Sequence, residues 1–115
     1  MQNETNFKAA TLLYYEGKYQ QALLAINQYL QVKPSSSMGF NNRALIQAKL
    51  GSPTLAKEDI FQALQITHLN YVAYFNLFSI YSQENNYPQS LLALQAGTSS
   101  LLLIKGRLLK DKSLL

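Results

Sequence analysis

Groups able to make or break a covalent bond are scarce in this chain of 115 residues. It holds one histidine, His68, no cysteine, and six acidic residues at Glu4, Glu16, Glu58, Asp59, Glu84 and Asp111. A nucleophile needs a base beside it, and a metal needs several ligands at helix or turn spacing. Nothing of that kind surrounds His68, which reads as a helix-end residue whose imidazole meets free carbonyls. Glu58-Asp59 reads as a solvated acidic step, and no glycine-rich phosphate cradle occurs. The chain is therefore expected to be no enzyme, with no cofactor and no metal.

Recognition is the chemistry that remains, and it falls to amides on a regular spacing. Asn42 and Asn76 stand thirty-four positions apart, and Lys8 precedes Asn42 by the same interval. An asparagine carries two donors and an acceptor on one planar head, so it bonds both the carbonyl and the amide of an extended peptide unit without reading its side chain. Phe7, Tyr15 and Phe75 lie beside this row and supply pockets for apolar side chains. Thr11, Tyr14, Asn41, Leu45, Lys49, Val72, Ser79 and Gln83 fall on the same side.

The row exists only if the chain repeats itself, and it does. Gly17, Ala22, Ile26 and Leu30 are followed one period later by Gly51, Ala56, Ile60 and Leu64, then more loosely by Asn85, Ser90, Leu94 and Thr98. Self-similarity at a period of this size marks a solenoid of stacked units. Within each copy apolar residues recur at three- and four-residue spacing, with one turn signal near the middle, so each unit is a helical hairpin. Pro34 should stop a helix near Val32 or Lys33. Ser35-Ser36-Ser37 offers caps for the next helix, and Pro53 suits a first helical turn. The copies cover about 3–36, 37–70 and 71–104, giving one domain over 1–104 and a basic, leucine-containing tail or cap over 105–115.

These units resemble tetratricopeptide repeats. Phe40 and Tyr74 stand at the opening aromatic of that pattern, Ala10 and Ala44 at its first small position, Tyr81 at the mid-helix aromatic and Gly17 and Gly51 at the turn. Tyr19 and Tyr87 follow the turn, Ala22, Ala56 and Ala63 hold the small positions of the second helix, and Pro34 closes a unit. The resemblance implies an all-α, right-handed solenoid of three hairpins, six helices, with a short C-terminal capping or tail segment. It also implies that the first helices line a concave groove, where asparagines at the places of Asn42 and Asn76 hold ligand backbones. Close crossing within a hairpin pairs Ala10 with Ala22 and Ala44 with Ala56. Departures from the pattern are Tyr29 at a usual alanine, Asn6, Arg43 and Gln47 at usually apolar positions, Phe78 at a small position opposite Ser90, and Gly97 inside a helix, where it costs about 1 kcal/mol against alanine.

The resemblance also bears on the ligand. One group of such repeats grips the acidic carboxyl terminus of heat-shock chaperones with lysines, an arginine and asparagines, and of these positions only Asn42 fits. Phe7, Thr11, Val72 and Asn76 replace the others, and a clamp without those charges loses its charge-assisted bonds. Binding of that ligand is not expected.

Of the net charge of +4, Lys105, Arg107, Lys110 and Lys112 against Asp111 supply +3. The body is nearly neutral, so no nucleic-acid partner is expected. No apolar run is long enough to span a bilayer, though the tail could touch a membrane surface. Residues Met1–Phe7 lack a secretory pattern, and the absence of cysteine suits a reducing compartment, so a cytoplasmic location is expected. The leading expectation is an adaptor or scaffold binding an extended protein or peptide segment in the groove. The alternative is a structural or assembly subunit that acts through its outer face or tail, including by pairing with itself.

Overall fold

Three left-handed residues divide the chain into hairpins. Gly17 and Gly51 sit at φ of 79° and 80°, and Asn85 takes the same conformation at φ 60° in the third copy. Asparagine is the non-glycine residue that visits this region most readily, because its short amide bonds locally; here its Oδ1 accepts from the Tyr87 hydroxyl at 3.0 Å. In the computed structural model, which describes residues 2–113 and the side chains of 5–110, the resulting elements are α1 (Gln2–Tyr15), α2 (Tyr19–Val32), α3 (Ser37–Lys49), α4 (Pro53–Ile66), α5 (Tyr71–Gln83) and α6 (Tyr87–Ser113). The side chains of Glu4, Asp111 and Lys112 and the chain ends at 1 and 114–115 lie outside the described residues. Between hairpins the starts are capped one period apart. Ser36 Oγ accepts from the Gly39 amide and Asn70 Oδ1 from the Ala73 amide, each at 3.0 Å, which satisfies donors a helix start leaves free.

Packing follows the small residues. Ala10, Ala22, Ala44 and Ala56 are all fully buried, the first two in one core cluster and the last two in another. A methyl group at these crossings lets two helix backbones approach more closely than a longer side chain would. Helix α3 belongs to both clusters: Ala44 enters the one built from α3 to α6, and Ile46 the one built with α1 and α2. The leading helices touch in series, α1 on α3 and α3 on α5, whereas among the described residues α2, α4 and α6 do not touch one another. The stack therefore curves, with the leading helices on the inside. Its extents are 44 × 40 × 24 Å.

Two departures from the repeat pattern prove to be matched pairs. Tyr29 replaces a small residue, and Gly39 of the next helix makes room: a Cβ there would lie 2.9 Å from the Tyr29 ring and 2.8 Å from Leu30. Gly97 in α6 faces the Phe75 ring of α5, which a Cβ would meet at 2.7 Å. The cost assigned to Gly97 from helix propensity is thus only half of the account, since its missing side chain is what seats Phe75. At the third crossing Ser90 is buried under Phe78, its hydroxyl donating to the Phe78 carbonyl at 3.3 Å and sharing a hydrogen with Ser82 Oγ at 2.6 Å.

One expectation needs correcting. The segment 105–115 was expected as a tail or cap set apart from the domain over 1–104. Instead α6 runs unbroken from Tyr87 to Ser113, and Leu102, Leu103, Leu108 and Leu109 are all more than half exposed. No turn signal interrupts this stretch, and Gly106, in open space, does not break the helix.

The Gly97 pairing is testable by a double-mutant cycle. Propensity alone predicts that Gly97→Ala stabilises by about 1 kcal/mol. The expected result in urea unfolding is no gain in the native background and recovery of part of that gain in a Phe75→Ala background, where the ring is gone but the Tyr74 Cβ still stands 3.1 Å from the added methyl.

Candidate functional site

The inner face is built from the leading helices, and polar rungs join them. The Asn42 amide nitrogen donates to Thr11 Oγ1 at 3.3 Å, linking α3 to α1, and the Thr11 hydroxyl in turn donates to the Phe7 carbonyl at 3.1 Å. The Asn76 amide nitrogen donates to Asn41 Oδ1 at 2.8 Å, linking α5 to α3. Each of Asn42 and Asn76 spends one N–H on its rung, and among the described residues no bond is made to its amide oxygen. Asn41, expected as an open groove residue, is buried at 6% exposure. Its oxygen is the acceptor that fixes Asn76, so it orients a groove side chain.

Two clefts open on this face, one repeat apart. The first, about 300 Å³, lies between α1 and α3 and is lined by Phe7, Lys8, Tyr29, Ser36, Ser37 and Met38. The second, about 410 Å³, lies between α3 and α5, and its lining includes Asn41, Asn42, Asn70, Tyr71 and Val72. Most of these are period mates: Phe7 with Asn41, Lys8 with Asn42, Ser36 with Asn70, Ser37 with Tyr71 and Met38 with Val72. The clefts are thus one motif used twice, aromatic with a cation in the first and amide-lined in the second. In the first, the Phe7 ring meets Tyr29 edge-on at 5.1 Å, which fixes its wall. Met38 lines both clefts, and Ile104 of α6 reaches the second.

The remaining expected residues are distributed unevenly. Thr11, Tyr15 and Leu45 surround Asn42 at a dimple of about 30 Å³, too small for more than a single water-sized group. Tyr15 is 80% exposed and stands edge-on to Tyr14 at 5.3 Å. Lys49 and Ser79 are exposed on α3 and α5 and line neither cleft. Phase along α5 misled the reading of Phe75: its ring packs on Gly97 of α6 and on Tyr71 at 6.1 Å, within the third hairpin. Sequence reasoning missed Tyr29, Ser36, Ser37 and Met38 as cleft residues. The period match of Met38 to Val72 was the available signal.

No protein-family model matches the sequence, and no curated protein matches it. Solved structures do. The TPR2B domain of yeast Sti1, in a structure described as its complex with pHsp70, superposes with a TM-score of 0.86 at 21% identity, covering 92% of this chain and 85% of that one. The second TPR domain of Spaghetti (RPAP3), solved bound to the HSP90 peptide SRMEEVD, gives 0.77 at 15% identity, covering 85% and 91%. The fold is the tetratricopeptide-repeat fold. Both superpositions span most of each chain.

Within this tetratricopeptide-repeat stack the convex side holds a feature the sequence did not suggest. Arg43 of α3 donates from Nε and Nη2 to the two carboxylate oxygens of Asp59 at 2.9 and 2.8 Å, and from Nη1 to Asn27 Oδ1 at 3.0 Å. Three helices of two repeats are pinned by one planar guanidinium, a fork geometry that lysine lacks. Asp59 was expected to be solvated. It is buried, whereas its neighbour Glu58 is exposed. The hydrogen bonds to Asp59 raise the Arg43 pKa above its ordinary value, with burial opposing and the charge of Asp59 assisting. A second link, Lys57 to Glu84 at 2.9 Å with the ammonium 5.1 Å from the Tyr81 ring centre, ties α4 to the end of α5. On the inner side the Tyr14 phenol is pushed above its usual value by burial and by Tyr19 and Tyr15 beside it. His68 is exposed between α4 and α5. Among the described residues no three His, Asp or Glu side chains gather where a metal could sit, and no helix is long and apolar enough to cross a membrane.

Removing one partner of the Arg43 network leaves a partly buried charge without its counterion. Asp59→Ala is expected to destabilise by about 2–4 kcal/mol, and the apolar pair Arg43→Met with Asp59→Leu by clearly less. Denaturant unfolding of the three proteins measures the difference.

Proposed function

We propose that this domain is a protein-interaction module that holds an extended segment of a partner protein along its inner face. The carrying observation is the pair of clefts one repeat apart, between them Asn42 with its amide oxygen still unspent and, one period on, Asn76 held ready by Asn41. In this reading Asn42 and Asn76 bond the ligand backbone, and the cleft of Phe7, Tyr29 and Met38 takes an apolar side chain. Lys8 and Lys49, both exposed, accommodate a neighbouring acidic residue. Two structures of the same fold in complex with chaperone-derived partners, those of the Spaghetti and Sti1 domains, support a peptide-binding role for the module. Their ligands do not transfer with the fold. Phe7, Val72 and Asn76 supply no cation where a clamp for an acidic terminus needs one, and Thr11 replaces its asparagine, so the ligand is a largely neutral segment. The module acts as an adaptor or scaffold without catalysis, and a reducing cytoplasm suits its lack of cysteine.

A few net hydrogen bonds of about 1 kcal/mol each, with one or two apolar contacts, set the affinity in the micromolar range. The test is selection of neutral peptides from a displayed random library, followed by calorimetric titration. Asn42→Ala with Asn76→Ala is expected to weaken the selected peptide at least tenfold while the protein stays folded. Unchanged affinity, or micromolar binding of the HSP90 peptide SRMEEVD, contradicts the reading.

A further inference from the structure

Helix α6 is the longest element, 27 residues, yet among the described residues it packs on α5 alone. By contrast α2 and α4 each contact two helices. Its free side carries a stripe in which Tyr87, Leu91, Leu94, Thr98, Leu102, Lys105 and Leu109 follow at intervals of four and three residues. That is the spacing of a helix seam that meets another helix. Leu91, Leu102 and Leu109 are exposed at 63%, 62% and 66%. From Tyr87 to Ile104 there is no charged residue at all, and the cations Lys105, Arg107 and Lys110 lie together beyond it.

We propose that this stripe pairs with the same stripe of a second copy, the two α6 helices running antiparallel about a twofold axis at Thr98. Reversal about that residue sets Leu94 on Leu102, Tyr87 on Leu109 and Leu91 on the aliphatic stem of Lys105, so the patch is complementary to itself, as a twofold interface requires. Charge selects the direction. A parallel pair brings the two clusters of Lys105, Arg107 and Lys110 side by side, whereas the antiparallel pair sets each cluster against the uncharged start of the other helix. A membrane fits less well, because a helix lying on anionic lipid carries its cations along the length of one face. The seam is about 33 Å long. It buries on the order of 1,000 Å² in total, the low end for a specific interface, so the dimer forms at micromolar concentration. The pairing is independent of what the inner groove holds.

Sedimentation equilibrium from about 1 to 200 µM, a range set by that affinity, tests the proposal. The mass should rise from 13.0 kDa towards twice that value, and Leu91→Glu with Leu102→Glu should keep it at the monomer, with the unfolding midpoint unchanged at about 1 µM, where the native chain is monomeric too, since both side chains are exposed. Because the chain has no cysteine, single replacements report direction. Thr98→Cys should oxidise rapidly to a cross-linked dimer, and Tyr87→Cys should not. A monomer throughout, with or without co-sedimentation on phosphatidylserine vesicles, overturns the proposal. So does a dimer indifferent to Leu91→Glu with Leu102→Glu, or one that Tyr87→Cys cross-links as fast as Thr98→Cys.

Discussion

Everything in this molecule leans on α3 being thin where it is crossed. Ala44 and Ala56 share one core cluster with no accessible surface left on either, and two positions on, Ile46 turns into the cluster made by α1 and α2. One helix thus serves two half-cores, which is possible only if the close crossing leaves its other sides free to reach the neighbouring hairpins. Interiors packed to crystal-like density do not absorb an extra methylene without moving something. A displaced α3 would carry Asn41 and Asn42 with it and open both inner clefts. Groove geometry is in that sense a consequence of two methyl groups.

Around this constraint the chain balances volume locally. Tyr29 and Gly39 form one exchange of bulk for space, and Phe75 and Gly97 another. Each pair sits where a repeat departs from its own pattern, the glycine leaving the space that the ring fills. Polar groups follow the same economy of position. Arg43 binds Asp59 and Asn27 at once, and among the described residues no buried side-chain nitrogen or oxygen is left without a partner. Repeats one and two are therefore joined by the Arg43–Asn27 hydrogen bond, and repeats two and three by the Lys57–Glu84 pair.

The hairpins were legible because their signals are local and recur: a turn residue, a small residue five positions later, a stop. Helix ends at Val32 and Pro53 and the cap at Ser36 follow from the residues at those places. Asn85 could be read as a turn only through its register with Gly17 and Gly51. What could not be read depends on distance in space. Asp59 looks solvated until Arg43 of the preceding helix is placed opposite it, and Phe75 looks like a groove residue until Gly97 is seen to vacate a seat for its ring. The end of α6 is hidden for a different reason: composition changes at Lys105, although nothing there stops a helix. At the site, register identified the amides and Lys8 but not Tyr29, which reaches the first cleft from α2, outside the row.

The stack has a middle and two ends, and they should differ in how easily they open. Helices covered on several sides open with the whole domain, and those covered on one side open alone. Native-state hydrogen exchange, resolved helix by helix, measures this directly. If α3 is the shared wall, amides of α3 and α4 around Ala44 and Ile60 exchange only through global unfolding, while those of α6 beyond Ser100 open at far lower free energy. Slowest exchange in α1 or α6, with α3 opening ahead of them, would contradict the account.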